Sequence, residues 1–197
     1  MHLRTVGILL FNEVEVLDFA GPFEVFSIAT LLESNEKPFI VKTISENGEL
    51  VTARNGLKVK PDYSFANHPS FDIVIIPGGF GAEQIEINNS SVIEWIKNQQ
   101  SRVEFMTSIC TGALLLAKAG ILDGKKATTH WMDIDRLEQE FPNVSVQRGV
   151  KFVDEDSIIT SGGISAGINM SFHLISRLHG KDVAIKTAKR MEYEIKL

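Results

Sequence analysis

One cysteine occupies the position in this chain that most directly suggests chemistry. Cys110 follows an apolar segment of strand length at residues 103–108 and precedes Thr111, Gly112 and a helical run at residues 113–119. A sharp strand-to-helix turn can hold a nucleophile in a strained, accessible position, as the serine elbow of α/β-hydrolases does. We therefore expect a positive φ at Cys110 and a sulfur that faces a pocket. The alternative is that Cys110 is simply a small buried apolar residue.

A glycine pair after another predicted strand could serve the same site. Gly78 and Gly79 follow the buried strand predicted at residues 72–77. The backbone N–H of Gly79, together with that of Thr111, could form an oxyanion hole opposite the thiol. A plain turn would explain the two glycines equally well, because glycine supplies backbone freedom wherever a strand ends.

Asp18 and His130 are ionisable residues next to predicted elements. Asp18 precedes a helix predicted at residues 19–32, so it could cap that helix or place its carboxyl beside the thiol. His130 follows a short strand predicted at residues 127–129. It is either a structural or exposed histidine, or an accessory group of the cysteine site.

Strands and helices alternate along the chain, which predicts an α/β fold with a mostly parallel sheet and helices on both faces. The strands are predicted at residues 5–11, 39–45, 72–77, 103–108, 127–129, 144–147, 151–154 and 158–160. The helices are predicted at residues 19–32, 91–100, 113–119, 134–141, 165–178 and 182–193. Alternating stretches around Asn55 and Gly56 predict a β-hairpin excursion at residues 50–60.

The absence of a linker or a shift in composition favours a single domain spanning residues 1–197. In parallel sheets, reactive groups gather at the carboxyl ends of the strands. We therefore expect residues 14–18, 78–81 and 109–112, which each follow a strand, to meet.

Composition excludes several functional classes. The net charge is −5 and its acids and bases are interspersed, whereas a nucleic-acid-binding protein would usually show a basic patch. A single cysteine excludes an intrachain disulfide and a Cys-rich zinc site. No metal-ligand cluster or phosphate loop stands out, so no cofactor is expected. The first apolar run is too short for a signal peptide or a membrane span, which favours a soluble cytoplasmic protein without a membrane partner.

Four segments of the chain together resemble the ThiJ/PfpI family of the class I glutamine amidotransferase-like superfamily. They are DFAGPFEVF at residues 18–26, IPGGFG at 76–81, CTGA through TTHW at 110–131, and SGGISAGI at 161–168. Their order and spacing make the set specific, and it spans nearly the whole chain. The resemblance implies a flavodoxin-like α/β sandwich and a homodimer.

The residues around the cysteine favour one branch of this family. Protease-like and glyoxalase-like members usually carry His directly after the cysteine, where this chain has Thr111. Amidotransferases use a Cys-His-Glu triad, whereas here Met132 stands two residues after His130. Asp-Phe-Ala-Gly-Pro with Cys-Thr-Gly instead resembles isonitrile hydratases and the sensor-like domains of AraC-type regulators. Since the chain ends at Leu197, soon after its last predicted helix, no DNA-binding half is expected.

The resemblance also implies roles for individual residues. Cys110 would attack the carbon of a small isonitrile substrate, and Asp18 would exchange protons with the thiol and the developing imidate. Thr111 would position water or polarise the intermediate, and the product would be an N-substituted formamide. We further predict that a buried, protonated Asp18 lies within hydrogen-bonding reach of a Cys110 thiolate, so that the pair shares one proton. One departure is Asn169, where this branch has Asp.

Two alternatives to an enzyme remain open from the sequence. One is a redox or stress sensor in which a thiolate of low pKa at Cys110 is oxidised. The other is a ligand-binding module derived from a regulator domain.

Overall fold

A seven-stranded, mostly parallel sheet forms the centre of the protein. The computed structural model describes residues 2–195, so the predicted domain ends at Met1 and Leu197 lie outside the described residues. The strands are β1 Arg4–Leu9, β2 Phe39–Ser45, β3 Val51–Thr52, β4 Lys58–Val59, β5 Tyr63–Ser64, β6 Ile73–Ile76, β7 Phe105–Ile109, β8 Lys126–Ala127, β9 Ser145–Val146, β10 Phe152–Glu155 and β11 Ile158–Ser161. The order across the main sheet is β10-β11-β7-β6-β1-β2-β5, and within it β10 runs antiparallel to its neighbour.

Two groups of helices cover this sheet. The helices are α1 Val16–Ile28, α2 Ser90–Gln100, α3 Gly112–Lys118, α4 Ile134–Glu140, α5 Ala166–His179 and α6 Lys181–Arg190. Helices α1, α5 and α6 pack together, and α2 packs on α3. The predicted α/β sandwich with helices on both faces is confirmed. Among the described residues, no helix has the length and apolar character needed to cross a membrane.

The central strands are apolar because helices cover both faces of the sheet. All four residues of β6 are fully buried, and so are Val6 and Ile8 of β1. A strand with one solvated face would instead alternate apolar and polar residues. The continuous apolar runs in the sequence therefore predicted the positions of these strands correctly.

The start of α1 differs from the prediction. The helix begins at Val16 with Glu15 as its N-cap residue, so Asp18 lies inside the first turn and does not cap the helix. Glu15 makes no side-chain capping hydrogen bond, which leaves no capping signal in the sequence. Pro22 lies inside the helix, and its missing N–H leaves the Asp18 carbonyl without its usual helical donor.

The predicted hairpin excursion is present, whereas one edge strand was missed. Strands β3 and β4 pair antiparallel around a short turn in which Asn55 has φ 61° and Gly56 has φ 89°. Strand β5 has two residues and pairs with β2 at the sheet edge. So short a strand carries no periodic pattern by which it could be recognised.

Asp72 joins the starts of β1 and β6 and provides a test of the fold. Its Oδ2 accepts a hydrogen bond from Thr5 N–H at 2.7 Å, and its Oδ1 lies 2.8 Å from His2 Nε2. Partial burial raises the pKa of Asp72, but the Thr5 and His2 hydrogen bonds outweigh it and hold the pKa below 3.8.

We expect Asp72→Asn to lower the free energy of unfolding by about 1 kcal/mol at pH 7. The ionised carboxylate stabilises the fold above its unfolded-state pKa, and this stabilisation is lost as the pH falls through the lower folded-state pKa. Urea unfolding at pH 7 and pH 3 should therefore show a deficit that shrinks on acidification. An equal deficit at both pH values would contradict the ionic contribution.

Candidate active site

The strands β1, β6 and β7 are adjacent and parallel, so their carboxyl ends lie side by side at the same end of the sheet. Gly78 N–H donates to Asp18 Oδ2 at 2.9 Å, and Gly79 N–H donates to Thr111 Oγ1 at 2.9 Å. Glu15 N–H also donates to Gly78 O at 2.9 Å. These bonds join the three segments that follow the strands, as the sequence predicts.

Cys110 sits in the strained elbow expected from the sequence. Its φ is 54°, its thiol is free and its relative exposure is 5%. A positive φ at a residue other than glycine costs about 1–3 kcal/mol and needs surrounding structure to hold it. Cys110 N–H donates to Gly162 O at 3.2 Å, and Thr129 Oγ1 donates to Cys110 O at 2.9 Å. Hydrogen bonds to the N–H and to the carbonyl of Cys110 therefore hold the strained backbone in place.

Two glycines allow the elbow to approach the end of β6. A Cβ on Gly78 would lie 2.5 Å from Thr111 N and 2.9 Å from Cys110 Cβ. A Cβ on Gly112 would lie 2.1 Å from the carbonyl oxygen of Ile76. Real Cβ atoms do not approach backbone this closely, so the site geometry requires glycine at both positions.

The Asp18 carboxyl is fully buried beside the thiol. Its Oδ1 has no protein hydrogen-bond partner of regular geometry, although the carboxyl interacts with the Cys110 thiol. Burial raises the pKa of Asp18 to about 7, a rise that the Gly78 hydrogen bond opposes. The negative charge of Glu15 raises this pKa further, and the Cys110 interaction lowers it. A carboxyl with this pKa can accept and return a proton near neutral pH.

The Cys110 thiol is buried as well, and its environment favours the protonated form. Burial raises the pKa of Cys110 above its ordinary value, and the negative charge of Asp18 adds to the rise. Hydrogen bonds from the N–H groups of Thr111 and Ile164, and from the Thr111 side chain, act in the opposite direction. Burial thus outweighs these hydrogen bonds, and a thiolate at Cys110 would require transfer of its proton to Asp18. The predicted proximity of the two groups is present, whereas their shared proton stays a prediction.

The predicted oxyanion hole stays a prediction. Gly79 N–H, with φ 112° at Gly79, is directed to Thr111 Oγ1, and Thr111 N–H is directed to the sulfur. Both donors are therefore engaged and are not open toward a substrate oxygen in this state. Of the two donors only Thr111 N–H contacts the sulfur, and it favours the charged form that burial disfavours.

A cavity of about 410 Å³ adjoins the elbow and is lined in part by Thr129, His130, Trp131 and Ile164. We call it the elbow cavity. Thr129 and Ile164 contact Cys110, but neither Cys110 nor Asp18 is among the residues that line the cavity, so a sulfur that faces a pocket stays a prediction.

His130 lines this cavity but is also part of a local turn. Its Nδ1 accepts a hydrogen bond from Met132 N–H at 3.4 Å and lies 3.6 Å from Asp133 Oδ2. The ring thus caps the short 3-10 helix Trp131–Asp133. An accessory catalytic role for His130 stays a prediction.

Ile164 and Thr129 are site residues that the sequence analysis did not assign. Ile164 has φ 51° and follows β11, the strand next to β7. The position of this loop at the carboxyl end of a neighbouring parallel strand was the available signal. Among residues 2–195, no group of three or more His, Cys, Asp or Glu side chains is arranged to hold a metal ion.

Comparison with known proteins places the chain in a family. The DJ-1/PfpI family model matches residues 4–177. Isonitrile hydratase of Pseudomonas putida is 33% identical over 95% of this chain and 78% of its own length. The HTH-type transcriptional regulator GbdR of Pseudomonas aeruginosa is 29% identical over 97% of this chain, which spans only 51% of the regulator.

Solved structures share the fold. A ThiJ/PfpI family protein from Pseudomonas syringae superimposes with a TM-score of 0.87 at 24% identity, covering 100% of this chain and 78% of that one. DJ-1beta of Drosophila melanogaster gives a TM-score of 0.82 at 23% identity, covering 99% of this chain and 100% of that one. With a family model matched over most of its length, this chain belongs to the DJ-1/PfpI family.

Proposed function

We propose that this protein is a cysteine-dependent hydratase that adds water to small isonitriles and releases N-substituted formamides. The observation that carries the proposal is the buried Asp18 carboxyl, with a pKa of about 7, beside the strained Cys110 thiol. The 33% identity to isonitrile hydratase supports the choice of substrate. We further propose that it works as a homodimer, as the family resemblance implies, and in the cytoplasm without a cofactor, as the sequence pattern favours.

In the first half of the proposed reaction, the thiol adds across the isonitrile carbon. Asp18, ionised, accepts the proton of Cys110 while the sulfur forms a bond to that carbon. The carboxyl then returns the proton to the same carbon, which gives a neutral thioimidate on Cys110. Covalent catalysis of this kind divides one difficult addition into two easier steps.

In the second half, water hydrolyses the thioimidate. Asp18 takes a proton from the attacking water, whose oxygen bonds to the carbon. Asp18 passes this proton to the nitrogen. The carbon–sulfur bond then breaks, and the proton of the added hydroxyl moves to the sulfur as the formamide leaves. One water is consumed and no oxidant or reductant is needed.

Thr111 fits the role of a positioning residue. Its hydroxyl accepts from Gly79 N–H at 2.9 Å and its N–H interacts with the Cys110 sulfur. Both contacts hold the sulfur against the end of β6 and favour its charged form during attack.

The proposal is tested by incubating the purified protein with aryl and alkyl isonitriles and measuring formamide by chromatography and mass spectrometry. Acid quenching during turnover should reveal a Cys110 adduct heavier by the mass of the isonitrile. Cys110→Ala should lose both signals, because no thiol remains to attack.

Ser108→Ala provides a matched control two residues earlier, in the strand β7 that leads to the elbow. Its buried Oγ has no partner in the structure, so its removal should leave both signals in place. Formamide production by Cys110→Ala at the wild-type rate would reject the mechanism.

A ligand-binding module is the second candidate function, because the chain aligns with regulator GbdR over 97% of its length. Saturable binding of a small molecule without turnover would favour it. A redox sensor, like the hydratase, would need Asp18 to take the thiol proton, because burial raises the pKa of Cys110 and peroxide oxidation proceeds through the thiolate.

A further inference from the structure

The elbow cavity has an unbalanced charge. Lys151 is the one Lys or Arg among the residues that line it, and no Asp or Glu lines it. Within residues 2–195, Lys151 forms no ion pair, and its Nζ lies 3.4 Å from the neutral amide oxygen of Asn169. The Lys151 side chain is exposed to solvent, and no acidic residue lines the cavity beside it.

Helix α5 adds to the positive potential of this cavity. Ser165 and Ala166, where the 14-residue helix begins, line the cavity. Helix N-termini carry partial positive charge and stabilise nearby anions. The first N–H groups of α5 already donate to the carbonyls of Gly163, Ile164 and Ser165, so Lys151 supplies the main positive charge at the cavity.

Part of the cavity wall is apolar, alongside the polar residues Thr128, Thr129 and His130. Trp131 is 77% exposed and lies at this cavity together with Ile134 and Val150. A ligand that fits the cavity would combine an apolar body with one negative charge. A single lysine matches a monoanion such as a carboxylate better than a phosphate, which usually has several donors.

We propose that the elbow cavity holds the N-substituent of the substrate and that Lys151 selects substituents bearing a carboxylate. This rests on the proposed hydratase function, because the isonitrile carbon must reach Cys110 while the substituent occupies the cavity. The substrate class is then isonitriles derived from amino or aryl carboxylic acids.

Asn169 supports this selection because its neutral amide does not neutralise the positive charge of Lys151. Its amide contacts Lys151 without neutralising it, whereas a carboxylate at the same position would form an ion pair. Asn169→Asp therefore removes the free charge while the lysine itself stays in place.

The test compares kcat/KM for isocyanoacetate and 4-isocyanobenzoate with kcat/KM for their methyl esters. The intrinsic reactivity of each compound cancels when the acid-to-ester ratio is compared between wild type and variants. We expect Lys151→Gln and Asn169→Asp each to lower this ratio about fivefold, the range of a solvent-accessible ion pair. Raising the salt concentration should lower the wild-type ratio as well.

Lys97→Gln is the matched control, because Lys97 on α2 lines a different cavity. The acid-to-ester ratio of kcat/KM for Lys97→Gln should equal that of wild type. An unchanged ratio in Lys151→Gln would overturn the proposal, and so would an equal loss in Lys97→Gln.

Binding of N-formylglycine and its methyl ester, measured by calorimetry, separates this proposal from the hydratase function. Preferential binding of the acid that depends on Lys151, without turnover of any isonitrile, would support the carboxylate subsite and reject the hydratase. Equal binding of acid and ester to the wild type would reject the subsite even if isonitriles are hydrated.

Discussion

Asp18→Asn is expected to reduce isonitrile turnover about a thousandfold while making the folded protein more stable at pH 8. The loss of rate follows from the proposed chemistry, in which the carboxyl accepts the thiol proton and returns it to carbon. General acid–base groups contribute about 10²–10⁴-fold to such steps. An amide can still accept the Gly78 hydrogen bond but cannot carry a proton between the two reaction partners.

The gain in stability follows from the burial of the carboxyl. Burial, its largest cause, raises the pKa of Asp18 from 3.8 to about 7. The folded state therefore holds this proton more tightly than the unfolded state. Protonated Asp18 contributes its full stabilisation of the folded state below the unfolded-state pKa. This contribution is lost as the pH rises through about 7. At pH 8 the ionised carboxylate costs about 4 kcal/mol, a cost that the neutral amide avoids.

The measurement combines turnover with urea unfolding at pH 4 and pH 8. The stability difference between Asp18→Asn and wild type should be large at pH 8 and small at pH 4. Asp72→Asn is the internal comparison, because its effect has the opposite sign: it destabilises at neutral pH. Wild-type turnover in Asp18→Asn would exclude acid–base work by Asp18, and an unchanged pH dependence of stability would exclude its raised pKa.

Much of the fold could be predicted because buried parallel strands require continuous apolar runs. Strand β2 was located at its observed bounds, and β6 lies within the predicted residues 72–77. The adjacency of β1, β6 and β7 then brings together three loops that are far apart in the chain. The candidate site could thus be predicted at the level of segments.

The finer properties of the site depend on tertiary packing, which the sequence pattern does not contain. The sequence pattern around Asp18 is typical of a helix cap. Asp18 is buried because α1 begins before it, at Val16, and packs closely on α5. Gly21 allows this approach, since a Cβ there would lie 2.9 Å from Ile168 Cγ1. Whether Gly79 N–H faces a substrate or Thr111 is likewise decided by small displacements between two loops, which spacing in the sequence cannot resolve.

Gly112→Ala is expected to lower the free energy of unfolding by about 3 kcal/mol. Helix propensity alone predicts the opposite sign, since Gly112 begins α3 and alanine is favoured over glycine inside helices by about 1 kcal/mol. Packing decides the outcome, because the new Cβ would lie 2.1 Å from Ile76 O and 2.8 Å from Pro77 O. Both contacts are backbone atoms at the end of β6, so no side chain can rotate away to relieve them.

Thermal and urea unfolding would measure this loss, with Gly162→Ala as the matched control. Gly162 also lies in a loop beside Cys110, but the nearest atoms to a Cβ there are 3.6 Å away, an ordinary contact. Its substitution should change stability by no more than about 0.5 kcal/mol. A Gly112→Ala protein as stable as wild type would mean that the elbow can move away from β6. In that case the close approach could not be what fixes the position of Cys110 relative to Asp18.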